Sequence, residues 1–350
     1  MLSLCMIVKN ECKNLRSCLS KIVDFVDEII IVDTGSTDST KNIASEFTDK
    51  IYDFKWCNDF SKARNFSISK ASNNWILVLD ADEFVIDFSR DNIYEFINDF
   101  LNENNVGRIQ RVNIMDGGDG KEKYMEKVNR LFNRNYFHYE GIIHEQIVAL
   151  NGKTYKADII GITVEHIGYT KEVLNRTDKI KRNINLLEEA VKNDLEDPYL
   201  YFQLGKSYYI MKDYKTSALY FEKALTFELD FRLEYVESLI ETYGYSLINS
   251  GRYSDALILE NCFEFYSKFA DFHFLMGMIY MNNAKFEQAV DSFLECTKFL
   301  CSKVEGITTY SSYYNIGVIY EVLGFIEEAI KYYNMCGDYE PAVKRLAENL

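Results

Sequence analysis

Apolar residues are spaced in two ways along this 350-residue chain, and the change falls near residue 170. Before it, short apolar runs alternate with helical patterns. The runs are "LSLCMIV" (2–8), "EIIIVD" (28–33), "KIYDF" (50–54) and "WILVLDAD" (75–82). An uninterrupted run such as Ile29–Val32 is the pattern of a strand covered on both faces. Between the runs, Leu15, Cys18, Leu19 and Ile22 share one face of a helix predicted from about Glu11. Further helices are predicted from Asp38 and over "DFSKARNFSISKA" (59–71). Strands alternating with helices of this length make βαβ units and a mostly parallel sheet, an α/β fold. From Val106 to His166 the pattern turns to strands ("VGRIQRVNIM", "VNRLFN", "YKADIIGITVEHI"), an extension of that sheet.

After about Thr177 the strand signal ends and a repeat begins. Gly205, Gly244, Gly277 and Gly317 align, at spacings of 39, 33 and 40. Nine residues after each stand Tyr214, Tyr253, Phe286 and Ile326, and twelve after stand Ser217, Ala256, Ala289 and Ala329. Sixteen after, Phe221, Phe293 and Tyr333 are aromatic. This small–aromatic alternation is that of the tetratricopeptide repeat, whose period is 34. Four degenerate repeats are expected, two followed by insertions, with Pro341 where the last one ends. The expected division is an α/β domain over 1–170, a linker and connecting helix over 171–198, and an all-α repeat domain over 199–350.

Charge narrows the choice of partner. The net charge is −15, with 20 basic and 26 acidic side chains in the first 170 residues. There is no basic stripe, so a nucleic acid held through its phosphates is not expected. No apolar run reaches the ~18–20 residues that cross a bilayer, and "MLSLCMIVKNEC" reads as a first strand rather than a signal peptide. The eight cysteines form no CxxC pair, which predicts reduced thiols in a cytoplasmic protein.

Acidic residues at two strand ends carry the chemistry. Asp33 ends a buried strand that opens toward a helix, where open α/β sheets bind ligands. Asp80 and Asp82, one residue apart, end another. Carboxylates so close repel unless a cation lies between them, and Mg²⁺ or Mn²⁺ suits such a place, with substrate phosphates completing its shell.

"SLCMIVKNE", "EIIIVDTGSTDST", "DFSKARNFSI" and "WILVLDADE", in this order, resemble family 2 glycosyltransferases of GT-A fold, which is Rossmann-like. The later "RLF", "GIIHEQI" and "HIGY", followed by the repeats, are similar to a bacterial subgroup that includes the sublancin-type S-glycosyltransferases. The resemblance implies a UDP-sugar donor, a divalent metal and a protein or peptide acceptor modified on Cys or Ser/Thr, with inversion. It implies that Asp33 accepts the uracil N3–H and that Arg64 donates to the base from the other side. Val8, Asn10 and Glu11 would line the uridine pocket; alternatively Glu11 caps the next helix and Arg64 is a surface arginine. Asp80 and Ala81 would serve the ribose side, Asp82 the metal and diphosphate, and His166 would complete the metal shell. Most of the family places an Asp of a Glu-Asp pair as base. Here the pair is His144-Glu145, which makes Glu145 the expected base and His144 its neighbour or an added ligand.

Two rivals stand beside this reading. One is a decayed transferase kept as a peptide-binding scaffold, against which the intact Asp33, Asp80, Asp82 and Glu145 speak. The other is a nucleotidyltransferase, which would want a Gly-rich basic loop after the first strand, whereas "VKNECKNLRS" has no glycine. Within the repeats, the first helix of each pair should line a concave groove for the acceptor or for a second subunit. Its expected residues are Tyr199, Phe202, Lys206, Tyr209, Glu241, Tyr245, Ile248, Phe274, Met278, Met281 and Tyr314, with Leu204, Tyr208 and Phe221 filling the core. The alternative is that the aromatics of the groove are themselves core.

Overall fold

The structure, a computed structural model, describes residues 1–116, 121–169 and 179–348. The chain forms two compact units, Met1–Lys179 and Ile180–Leu350. The start of the linker expected over 171–198 lies outside the described residues, and a helix covers Lys179–Asn193.

The first unit is built on an eight-stranded sheet in the order β3-β2-β1-β4-β7-β6-β10-β5. Strands β1 (Leu2–Val8), β2 (Glu28–Asp33), β3 (Ile51–Asp53) and β4 (Trp75–Val78) run parallel. β5 (Glu83–Phe88) and the long β6 (Val106–Asp116), β7 (Lys121–Asn133) and β10 (Ala157–Tyr169) extend the sheet with mixed polarity. β8 (Phe137–Glu140) and β9 (Gln146–Ala149) pair separately.

Alternation along the strands explains why the apolar runs are uninterrupted. Leu4, Met6, Ile29, Ile31 and Leu77 face one layer, packed by Leu15, Cys18, Leu19 and Ile22 of α1 (Leu15–Ile22) and by Ile93 and Phe96 of α4 (Arg90–Asn98). Cys5, Ile30, Val32, Ile76 and Val78 face the other, packed by Ile68 of α3 (Phe60–Lys70) and by Phe137, Tyr139 and Ile147. Both faces are therefore core.

Two helix starts differ from expectation. The helix predicted from Glu11 begins at Leu15, because residues 12–14 form a turn in which the Glu11 carbonyl accepts from the Asn14 and Leu15 amides. The one predicted from Asp38 is the short α2 (Thr40–Ala44), since Asp38 spends its carboxylate on the Thr40 amide and hydroxyl. Burial alone would raise the Asp38 carboxyl, but these bonds and the Cys12 amide bring it down to about 2.

The second unit shows why its sequence repeats. Its second helices begin at Tyr214, Tyr253, Phe286 and Ile326, nine residues after each aligned glycine. A Cβ on Gly205 would sit 2.6 Å from Phe221, one on Gly277 2.6 Å from Phe293, and one on Gly317 2.6 Å from Tyr333. Glycine and the aromatic sixteen residues on are thus one contact, made three times. In the second repeat Glu260 stands where the aromatic would be, and Gly244 faces Leu259 and Leu275 instead. There the second helix is broken into Tyr253–Ala256, a 3-10 segment over Leu257–Cys262, and Phe263–Tyr266. Pro341 lies in the first turn of a final helix, Glu340–Glu348.

The expected groove is partly filled by the chain itself. Phe202, 3 % exposed, is a core residue against Phe221 and Tyr235. Leu204 and Phe221 are buried as expected, while Tyr208 is half-buried and stacks on Tyr220. Glu241 is also buried: Lys303, from the insertion that lengthens the third spacing, donates to both its oxygens at 2.9 Å and reaches Glu237. Burial pushes the Glu241 carboxyl up to about 7, although Lys303 pulls the other way. Tyr199, Tyr209, Tyr245, Met278, Met281 and Tyr314 remain half-buried.

Candidate active site

The C-terminal ends of β1, β2 and β4 bring the acidic positions to one edge of the sheet. Val8 and Asp33 are direct partners across β1 and β2. Asp33 is 1 % exposed. Its Oδ1 accepts from the amides of Gly35 (2.9 Å) and Ser36 (2.8 Å), a turn made possible by φ +107° at Gly35. Its Oδ2 is buried with no hydrogen-bond partner among the described residues.

The loop after β1 is tied to the loop after β2. Asn10, in left-handed backbone, accepts from the Thr37 amide (2.8 Å), and its own amide donates to Ser36 Oγ (2.9 Å). The Glu11 amide donates to Thr40 Oγ1 at 2.8 Å, and its carboxylate accepts from Asn14 Nδ2 at 3.0 Å, just before α1. The Val8 carbonyl accepts from both the amide and hydroxyl of Thr34. Residues 8–11 and 33–40 therefore form one rigid rim.

Asp80 lies between two arginines. Arg64 Nη2 donates to its Oδ1 and Arg130 Nη2 to its Oδ2, each at 2.9 Å. Arg64 also donates through Nε to Glu145, which brings the expected base beside the acidic pair from 81 residues away in sequence. Arg64 comes from α3, which Asp59 caps by accepting from the Lys62 amide at 3.0 Å. The same helix is locked to β8 because Asn65 exchanges two hydrogen bonds with the Tyr139 backbone (2.8 and 2.9 Å). Burial alone would lower the Arg64 pKa, but Asp80 and Glu145 more than offset it and raise the value. Arg64 is thus a buried site residue, 6 % exposed, and not a surface arginine. Its Nη1 and the Tyr139 hydroxyl are buried without a hydrogen-bond partner among the described residues. Burial pushes the Tyr139 hydroxyl up to about 12.

Asp82 and His166 meet at the other end. Asp82 Oδ2 lies 3.4 Å from His166 Nε2, and both residues are buried. The Ile167 amide donates to the Asp82 carbonyl, so β10 holds the loop. Ala81 is buried between the two acids. His144 adopts φ +50° next to Glu145, and its carbonyl accepts from Gln146 Nε2. Among the described residues no group of three or more His, Cys, Asp or Glu is arranged to hold a metal ion.

Residues 3–150 match the model of glycosyl transferase family 2. Residues 3–150, all within the first unit, are thus similar to a family 2 glycosyltransferase domain. Tetratricopeptide repeats match at 198–231, 270–299 and 310–343, which omits the repeat whose second helix is broken. A TPR repeat-containing protein of Synechococcus elongatus is 33% identical over 213 residues, 58% of this chain and 51% of that protein. The SPbeta prophage-derived glycosyltransferase SunS of Bacillus subtilis is 30% identical over 231 residues, 63% of this chain and 52% of that protein. The chain thus spans about half the length of each of these two relatives. An uncharacterized glycosyltransferase of Rickettsia prowazekii is 27% identical over 181 residues, 48% of this chain and 61% of that protein. Among solved structures, the TPR protein YrrB aligns at a TM-score of 0.41 and 22% identity, over 51% of this chain and 88% of its own.

Sequence reasoning missed a set of residues beneath the candidate site. Glu83, fully buried, accepts from the Asp80 amide (3.0 Å), Arg130 (2.7 Å) and Arg111 (3.0 Å). Arg111 continues to Glu126 at 2.8 Å, and Glu126 accepts from Asn113. The signal present was polar side chains in strands that pair on both sides: Arg111 and Asn113 in "RVNIM", Arg130 in "NRLF". A central strand keeps such residues only if partners from neighbouring strands pair with them.

Proposed function

We propose that this protein transfers a sugar from a UDP-sugar to a protein or peptide acceptor, with inversion at the sugar. The observation that carries the reading is the buried Asp33 Oδ2 without a partner, at the carboxyl edge of the sheet. An orphaned carboxylate oxygen costs free energy unless a ligand donates to it, and the N3–H of uracil is such a donor. The partnerless Nη1 of Arg64 supplies a second polar group with capacity for the nucleotide. The rim of Asn10, Glu11 and Ser36 would enclose it.

Mg²⁺ or Mn²⁺ fits the pair Asp82 and His166: two donor atoms face each other across 3.4 Å, and these ions take one or two protein ligands alongside substrate phosphates. When bound, such an ion would neutralise the leaving diphosphate. Asp80 is held by Arg64 and Arg130 so that the ribose meets a fixed acceptor. Glu145, oriented by Arg64, takes the acceptor proton in this reading. For a thiol acceptor the demand on this base is smaller, since a few per cent is thiolate near neutral pH. The half-buried stripe of Tyr209, Tyr245 and Met278 supports a peptide as acceptor. Eight unpaired cysteines suit a reducing compartment, and no described helix is long and apolar enough to cross a membrane.

Calorimetry with UDP, GDP and TDP in the presence of Mn²⁺ tests the base assignment. UDP should bind best, and Asp33→Asn should cost about 1–3 kcal/mol of that binding. Equal affinity for UDP and GDP would refute it. Full activity in EDTA, or in Asp82→Ala, would refute the metal.

A further inference from the structure

We propose that Asn113 and Glu126 are positioning residues that fix which nitrogen of His166 carries the ring proton, and so aim the Nε2 lone pair at Asp82. The inference rests on the reading in which Asp82 and His166 hold the cation. Sheet register creates the arrangement: Asn113 and His166 are direct partners across β6 and β10, and Arg111 and Glu126 across β6 and β7.

The polarity of this network is set by the Arg111 guanidinium, which only donates. Arg111 donates to Glu126 Oε1 through Nε (3.1 Å) and Nη2 (2.8 Å), so that oxygen belongs to an ion-paired carboxylate, which only accepts. Glu126 Oε1 lies 2.5 Å from the Asn113 amide, which must therefore turn its Nδ2 toward it. That turns the Asn113 Oδ1 toward His166, where it meets Nδ1 at 2.7 Å. An amide oxygen only accepts, so Nδ1 carries the proton. Nδ1–H is the less abundant tautomer of a free histidine side chain in water, and here the chain Arg111–Glu126–Asn113 imposes it. The neutral ring then presents a lone pair at Nε2, 3.4 Å from Asp82 Oδ2. Asn113 is 2 % exposed and His166 5 %, so water does not compete for the bond between them. Outer residues that hold a ligating imidazole in this way set metal affinity by roughly 10–100-fold.

Two measurements on the full chain test this. In ¹⁵N-histidine-labelled, metal-free protein at alkaline pH, the His166 ring (assigned by its loss in His166→Gln) should show a protonated Nδ1 and a bare Nε2. Asn113→Leu should shift the ring toward the Nε2–H form and weaken Mn²⁺ binding in the presence of UDP by about 10-fold or more. The double change Asn113→Asp with Glu126→Gln keeps an acceptor facing His166 and a donor facing residue 113, and should restore both readouts. An Nε2–H ring in the wild type, or an unchanged ring in Asn113→Leu, overturns the proposal. So does a changed ring with unchanged Mn²⁺ affinity. If the wild type shows the Nδ1–H ring but binds no Mn²⁺, the metal reading of the site falls and the tautomer assignment stands.

Discussion

The two units solve the same problem, specifying a buried interior, with opposite materials. The repeat unit uses one local contact again and again: glycine against the aromatic sixteen residues on, at Gly205, Gly277 and Gly317. The first unit uses a chain of buried and half-buried polar side chains that never repeats, from Glu145 through Arg64, Asp80, Arg130, Glu83, Arg111 and Glu126 to Asn113, His166 and Asp82. A repeated apolar contact tolerates a missing copy, as the broken helix of the second repeat shows. A charge chain does not tolerate a gap, because each member left alone is an unpaired ion in the interior. Difficulty of replacement therefore follows the chemistry of the site.

The largest expected effect lies at the Glu145 end of this chain. Glu145→Gln keeps the shape that Arg64 grips and should lower kcat by roughly 10²–10⁴ with UDP binding intact. A parallel loss of UDP affinity by calorimetry would make Glu145 a donor-site residue instead.

Next comes the middle of the chain. Arg130→Met strips Asp80 and the fully buried Glu83 of a shared partner and should cost about 3–5 kcal/mol in urea unfolding. Adding Glu83→Gln should recover part of that loss; strict additivity would show that the two residues act separately.

In the repeats the expected effect is smaller. Gly277→Ala drives a Cβ to 2.6 Å from the buried Phe293 and should cost about 1–3 kcal/mol despite the better helix propensity of Ala. Phe293→Leu in the same chain should reduce the penalty. Gly244→Ala, facing the more adaptable Leu259 and Leu275, should cost less than Gly277→Ala by the same measurement.

An effect of similar size concerns acid. Burial alone would raise the Glu28 carboxyl, but hydrogen bonds from Lys50, Ser3 and Ser72 bring it down to about 2 from 4.5. Because the folded value is the lower one, this stabilisation is complete above about pH 4.5 and is lost as pH falls toward 2. Glu28→Gln should remove on the order of 2 kcal/mol at pH 7 and flatten the acid limb of the stability profile. An acid limb as steep as in the wild type would exclude Glu28 as its source.

What the sequence determined by itself is whatever rests on short-range pattern. Apolar runs ending in Asp33 and Asp80 located strands and their ligand-facing ends, because burial on both faces demands continuous apolar residues. The repeats were legible because a helix pair brings together residues a constant distance apart. Which charges meet was decided by tertiary structure alone. Arg64 and Glu145, or Glu83 and Arg111, become neighbours through strand order and register, and nothing local to "SKARN" or "RVNIM" encodes a partner dozens of residues away. The same holds for the groove, where only the fold shows Phe202 in the core and Lys303 laid on Glu241. Periodicity reports that a face is buried; what buries it is settled when the chain closes on itself.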